Sequence, residues 1–180
     1  MAWEARLAKA FGLDDAGWDR HANPWSGWSR LVTGWPVIIA VGWSRVWIGW
    51  WALPVGLLAA FWLWRNPLSF PPAQGDSHWM SRAVWGERLW VRRAEKDGGG
   101  LSEAGLAAWK FHGWNVLAAL GAAVAIYGIV TLDVIASFSG ALASFFAKIG
   151  FIARCETLYR RAVAVHPDWR RGLDRGGAVS

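Results

Sequence analysis

The chain has 180 residues, 54% of them hydrophobic, with 17 tryptophans, a formal charge of +6 and a mean hydropathy of +0.20. Its basic residues flank apolar segments instead of forming one patch, which speaks against nucleic acid and for anionic lipid headgroups as the partner. One cysteine, Cys155, excludes an intrachain disulfide and any multi-cysteine metal knuckle.

Met1-Ala2-Trp3-Glu4 has neither a basic start nor a following apolar run, so no cleavable signal peptide is expected. Apolar helices further on would then act as their own insertion signals. Over Ala2–Phe11, Trp3, Leu7, Ala10 and Phe11 recur at helical spacing, which predicts a short amphipathic helix ending near Gly12. The Asn23-Pro24 pair disfavours helix at Asn23, and Ser26 is the expected N-cap of the helix that follows.

Leu31 to Trp64 carries a single charge, Arg45. One helix of that length, at about 1.5 Å per residue, would overrun a hydrocarbon core of about 30 Å. The pattern predicts two helices, 28–43 and 47–64, joined by a turn at Trp43–Val46. Pro36 and Pro54 fall inside them as candidate kinks. Both spans are short for a bilayer, so a shallow or re-entrant hairpin is the fallback. Trp, Arg and Asn-Pro bracket the hairpin at both feet, as Trp25, Trp28 and Arg30 before it and Trp62, Trp64, Arg65 and Asn66-Pro67 after it.

The linker Leu68–Gly75 leads into a predicted helix over Ser77–Lys96. Trp79, Met80, Ala83, Val84, Trp90 and Val91 share its apolar face, with Arg82 and Arg93 on one flank and Arg88 and Arg92 on the other. That is the pattern of a membrane-surface helix with snorkelling arginines. Glu87 breaks the face and calls for a partner. Asp97–Gly100 then forms a loop. Trp114 to Ile152 is the second apolar block, with Asp133 and Lys148 its only charges. It predicts helices over 114–130 and 134–152, a turn at Thr131–Asp133, and close helix contact at Gly121, Gly128, Gly140, Ala141 and Ser144.

Several stretches resemble a known family. RHANPWS (Arg20–Ser26), Asn66-Pro67, Phe70-Pro71-Pro72, the W-x-S-R-x-V-x-G-E run from Trp79 to Glu87 and the stretch Lys148–Arg160 look like those of a family of small bacterial integral membrane proteins of unknown function. The resemblance implies a membrane topology and no particular activity.

The expectation is an all-α membrane protein, with four transmembrane helices as two hairpins plus cytoplasmic interfacial helices. As one membrane domain it divides into 1–27, hairpin 28–64, linker 65–113, hairpin 114–152 and basic tail 153–180. Residues 1–30 hold four Lys and Arg, 65–113 hold seven and 153–180 hold six, whereas the two opposite turns hold only Arg45. The positive-inside rule therefore predicts a bacterial inner-membrane protein with both termini cytoplasmic.

Candidate sites follow from the isolated polar groups. Arg45 and Asp133 either pair across the hairpin tips or each face water. His21, Asn23, Arg30 and Glu87 are candidates for a polar cluster, read either as a headgroup site or as an ion pair orienting a helix. His21 and His112 are candidate haem or metal ligands, but no ligand spacing joins the four histidines, and His21 is better read as bonding to the Asn23-Pro24 turn. No cofactor is predicted. The leading function is a non-enzymatic accessory or scaffolding protein that binds membrane lipids, other membrane subunits or its own copies. The alternative is an enzyme or cofactor carrier acting on a lipid or haem-like molecule at the cytoplasmic interface through His21, Arg30, Glu87 and His112. Transport is weaker, because the charges lie at tips and feet and not at midplane.

Overall fold

A computed structural model describes residues 14–92 and 105–170. The expected N-terminal helix, the loop at Asp97–Gly100 and the tail beyond residue 170 lie outside the described residues. Among the described residues there are helices and no strands: α1 (Asp15–His21), α2 (Pro24–Ile48), α3 (Ala52–Arg65), α4 (Trp79–Arg92), α5 (Ala108–Thr131) and α6 (Val134–Val165). Short 3-10 turns occupy Gly49–Trp51, Asn66–Leu68 and Pro167–Trp169. Three stretches are long and apolar enough to cross a membrane: Pro24–Arg65, Ala108–Thr131 and Val134–Val165.

The chain packs as two compact units. The first gathers the described parts of Met1–Trp28, Pro67–Trp109 and Ile152–Ser180; the second gathers Ser29–Asn66 and Lys110–Phe151. These limits fall close to the changes from polar to apolar sequence.

In the second unit, α2 starts earlier and runs further than the sequence suggests. Its cap is Asn23 and not Ser26: the Asn23 side chain accepts from the Trp25 N–H at 3.0 Å, with Pro24 in the first helical position. Proline there forfeits no intrahelical bond, so Asn-Pro is a strong start signal. The turn expected at Trp43–Val46 lies instead at Gly49–Trp51, where Gly49 takes a φ of +52° that a side chain would oppose. Arg45 thus stays within the last turn of α2. Val41 of α2 approaches Gly56 of α3, and Asn66 donates to the Ser29 hydroxyl at 3.1 Å. Pro54 falls in the first turn of α3, where its missing N–H costs nothing, whereas Pro36 lies in the interior of α2.

The turn between α5 and α6 is as expected. Leu132 adopts a φ of 61°, and the Asp133 carboxylate caps α6 by accepting from the Ala136 N–H at 3.0 Å. Helix α6 extends well past Ile152, to Val165. Small residues recur along one stripe of α5 (Gly121, Ala125, Gly128) and along the facing stripe of α6 (Ser137, Gly140, Ser144). A Cβ added at Gly121, Gly128 or Gly140 would collide with the opposing backbone. The two helices therefore touch main chain to main chain, the contact that small residues permit. Ile39, Ala125, Ile129 and Ala141 form the core beside this contact, with Trp35 and Trp43 packed on it. Trp43 reaches the Ser137 hydroxyl with its indole N–H at 3.3 Å.

The glycine contact gives a direct test. Gly128→Leu or Gly140→Leu should cost at least about 1–3 kcal/mol through overpacking, seen as a lower midpoint of thermal unfolding in mild detergent. Gly113→Leu, where a Cβ meets nothing within 4 Å, should leave the midpoint unchanged.

Candidate functional site

Helix α4 is the centre of the first unit. The expectation of a membrane-surface helix with snorkelling arginines is not met, because α4 is covered by protein on most sides: Met80, Ser81, Ala83, Val84, Trp85, Gly86, Arg88 and Trp90 are all buried. Its apolar face closes a core with Trp18 and Ala22 of α1 and the outer end of α6, where Tyr159 packs. Gly86 lies so close to the Cys155 carbonyl that any side chain would strike it. That approach brings two helices into register and sets the charged residues of α4 beside their partners.

Three arginines of this unit pair with carboxylates. Arg82 donates from Nε to Glu156 Oε1 at 2.8 Å, and from Nη1 to the carbonyls of Asp76 and Ser77 at 3.1 and 2.8 Å. Glu156 is buried, and removing that guanidinium would leave a carboxylate in the interior without its cation. Arg88, also buried, pairs with Asp15 at the start of α1. Asp76 accepts from Arg170 Nε at 3.0 Å and lies 3.4 Å from the Tyr159 hydroxyl, which fastens the segment after α6. On α1, His21 packs beside the Trp18 ring, with Nε2 3.8 Å from Glu87 Oε2. His21 is buried, whereas the Glu87 side chain is 26% exposed. The pair carries an ionic attraction only when the imidazole is protonated.

The proline-rich segment before α4 is strapped down by main-chain groups. The Asn23 amide donates to the Pro71 carbonyl at 3.0 Å, and the Ala73 N–H donates to the Asp19 carbonyl at 2.8 Å. Trp28 stacks on Trp79 with ring centroids 5.9 Å apart, and Met80 fills the space beside Gly27. RHANPWS, the FPP segment, the Trp79–Glu87 run and the end of the Lys148–Arg160 stretch thus meet in one unit. Ser81 Oγ and Trp85 Nε1 are among the buried polar atoms of α4 with no hydrogen-bond partner among the described residues.

Of the sequence candidates, His21 and Glu87 come together, and Asn23 lies nearby in sequence but spends its amide on Pro71 and the start of α2. Arg30 and His112 belong to the second unit, where His112 is exposed on α5. Among the described residues no three His, Cys, Asp or Glu side chains cluster as a metal set. Arg45 and Asp133 find different partners. Arg45 donates from Nη2 to the carbonyls of Ile129 and Val130 at 2.9 and 2.5 Å, closing the end of α5, while Asp133 caps α6. A helix C-terminus offers unpaired carbonyls and a partial negative charge, which suits a guanidinium.

Sequence reasoning missed Arg82–Glu156, Arg88–Asp15 and Asp76–Arg170. A signal existed for the first. Phe151, Cys155, Leu158, Tyr159 and Ala162 recur at helical spacing past Ile152 and are buried. Glu156, the one acid between residues 134 and 167, adjoins that stripe and so needed a cation.

Arg82→Ala should destabilise the first unit by about 3 kcal/mol or somewhat less, because it strands a buried carboxylate while Arg82 itself is 25% exposed. Adding Glu156→Ala should recover part of that loss. A double-mutant cycle on thermal midpoints, supported by limited proteolysis, measures the coupling; additive losses would mean the two residues act separately.

No curated protein and no solved structure matches the chain at a significant level. One family does match, over residues 2–172, almost the full length. The chain belongs to DUF6653, a family of unknown function.

Proposed function

We propose that this protein is a bacterial inner-membrane protein of four spans, arranged as two hairpins, which acts without catalysis as an accessory or scaffolding subunit. The observation that carries the proposal is where the apolar surface lies. In the most apolar eighteen-residue window of Pro24–Arg65 no residue is buried, and in those of Ala108–Thr131 and Val134–Val165 only 17% and 33% are. A water-soluble domain hides such surface; a bilayer solvates it. Large side chains such as Leu57, Leu58, Ile135 and Phe146 face outward. Trp47, Trp50 and Trp51 crowd the α2–α3 turn, and Trp25, Trp62 and Trp64 lie toward the other ends of the same two helices, as two interfacial belts require. The distribution of Lys and Arg supports cytoplasmic termini. Four pairs of ionisable groups in the first unit, Arg82–Glu156, Arg88–Asp15, Arg170–Asp76 and His21–Glu87, bind one segment to another, which favours a structural role for them over a catalytic one. Its partners would be lipids and other membrane subunits or copies of itself.

The second reading, an enzyme or cofactor carrier at the cytoplasmic interface, is favoured by one observation, the contact of buried His21 with the partly exposed Glu87. Visible absorbance of the purified protein would speak for it.

Two measurements test the main reading. In a Cys155→Ser background, cysteines placed at Trp51 and Asp168 should respond oppositely to an impermeant maleimide on spheroplasts, the first labelled and the second protected until lysis. Labelling of both before lysis would refute the topology. Separately, native mass of the tagged protein drawn gently from its own membranes should exceed one chain plus detergent and lipid. A bare monomer would count against a scaffolding role.

A further inference from the structure

We propose that the groove between α2 and α3 is a binding site for one anionic phospholipid, whose acyl chain lies along the groove and whose phosphate meets Arg45. The proposal rests on the membrane reading above and adds the lipid class and the residues that hold it.

The groove has a volume of about 1010 Å³ and is lined by apolar residues, among them Val41, Trp50, Leu53, Gly56 and Leu132. Such a volume is at the top of the range of about 300–1,000 Å³ typical of small-molecule sites. Gly56 keeps the groove's floor open, because a Cβ there would lie 3.4 Å from Val41. Surrounded by hydrocarbon, a groove with this lining is covered by an acyl chain, since an unfilled wall forfeits its dispersion contacts. That much suits any lipid.

Arg45 decides the class. It is the one charged residue lining the groove. Its Nη2 is held by the Ile129 and Val130 carbonyls, so the guanidinium is fixed in place before any ligand arrives. Its Nε and Nη1 donors have no partner among the described residues, and the side chain is exposed. The nearest carboxylate in sequence to the groove wall, Asp133, is occupied in capping α6. A preorganised guanidinium with free donors at the edge of a low-dielectric region is matched by phosphate, whose oxygens accept charge-assisted bonds. A net negative headgroup satisfies the charge, whereas a zwitterionic one brings its own cation. Trp50, 85% exposed at the turn, supplies an interfacial ring beside the headgroup.

The test is native mass spectrometry of the full chain released from nanodiscs of equal phosphatidylglycerol and phosphatidylcholine. Wild type should retain phosphatidylglycerol over phosphatidylcholine by about fivefold or more, a preference of about 1 kcal/mol. Arg45→Gln should bring that ratio to about one, and Leu53→Trp, which fills the groove without touching Arg45, should reduce adducts of both lipids. Equal retention by wild type, or undiminished preference in Arg45→Gln, would overturn the inference. So would a dimer whose copies crosslink through Leu53→Cys, because a second chain would then cover the groove. Should Arg45→Gln fail to fold, Leu53→Trp decides alone: lost adducts support the site and retained adducts refute it. Wild type that cannot enter nanodiscs at all would instead sink the membrane reading itself.

Discussion

Arg82 and Glu156 are separated by 74 residues of sequence and by 2.8 Å in the fold. A buried carboxylate without a cation is costly, by several kcal/mol, so the end of α6 is bound to wherever Arg82 stands. The contact of Gly86 with the Cys155 carbonyl makes that placement sterically possible. Once α4 lies along α6, Arg88 and Glu87 project toward α1 and collect Asp15 and His21. The proline-rich segment then has Asn23 and Asp19 to hold it. Such pairs add little net stability over apolar replacements. Their effect here is to specify which segments meet, in a unit assembled from three separated parts of the chain.

The second unit solves the opposite problem. Its helices are apolar over most of their length, so hydrophobicity alone cannot say which faces belong together. Shape does so instead, through the small residues of α5 and α6 that let backbones touch. Polar side chains there are satisfied close to home: the Thr33 and Thr131 hydroxyls donate one turn back to Ser29 and Tyr127, and Ser137 donates to Asp133. Long-range polar contacts also occur: Trp43 reaches Ser137, Asn66 reaches Ser29, and Arg45 ties α2 to the end of α5. The same fixed guanidinium is what gives the groove beside it a chemical preference.

The stretches that carry the family resemblance turn out to be bonded to one another. His21 meets Glu87, Asn23 meets Pro71, Arg82 meets Glu156, and Gly86 meets Cys155. Taken together, these contacts join three separated segments of the chain into the first unit. That is why the proposed function looks to the apolar surfaces, and to what they contact, for the activity of the protein.

Helix content, the two apolar blocks, the α5–α6 turn and its small-residue contact were legible in the sequence, because each rests on local composition and helical period. Glycine spacing alone foretold the close approach of α5 and α6. The position of the α2–α3 turn was not legible, since it depends on Gly49 adopting a positive φ and on Arg45 finding carbonyls more than 80 residues away. Nor was the burial of α4: an amphipathic helix with flanking arginines looks the same whether lipid or protein covers it. Only the tertiary structure chose, by bringing Asp15 and Glu156 to those arginines. Pairing between charges is a property of position in space, and the sequence supplies the charges without their distances.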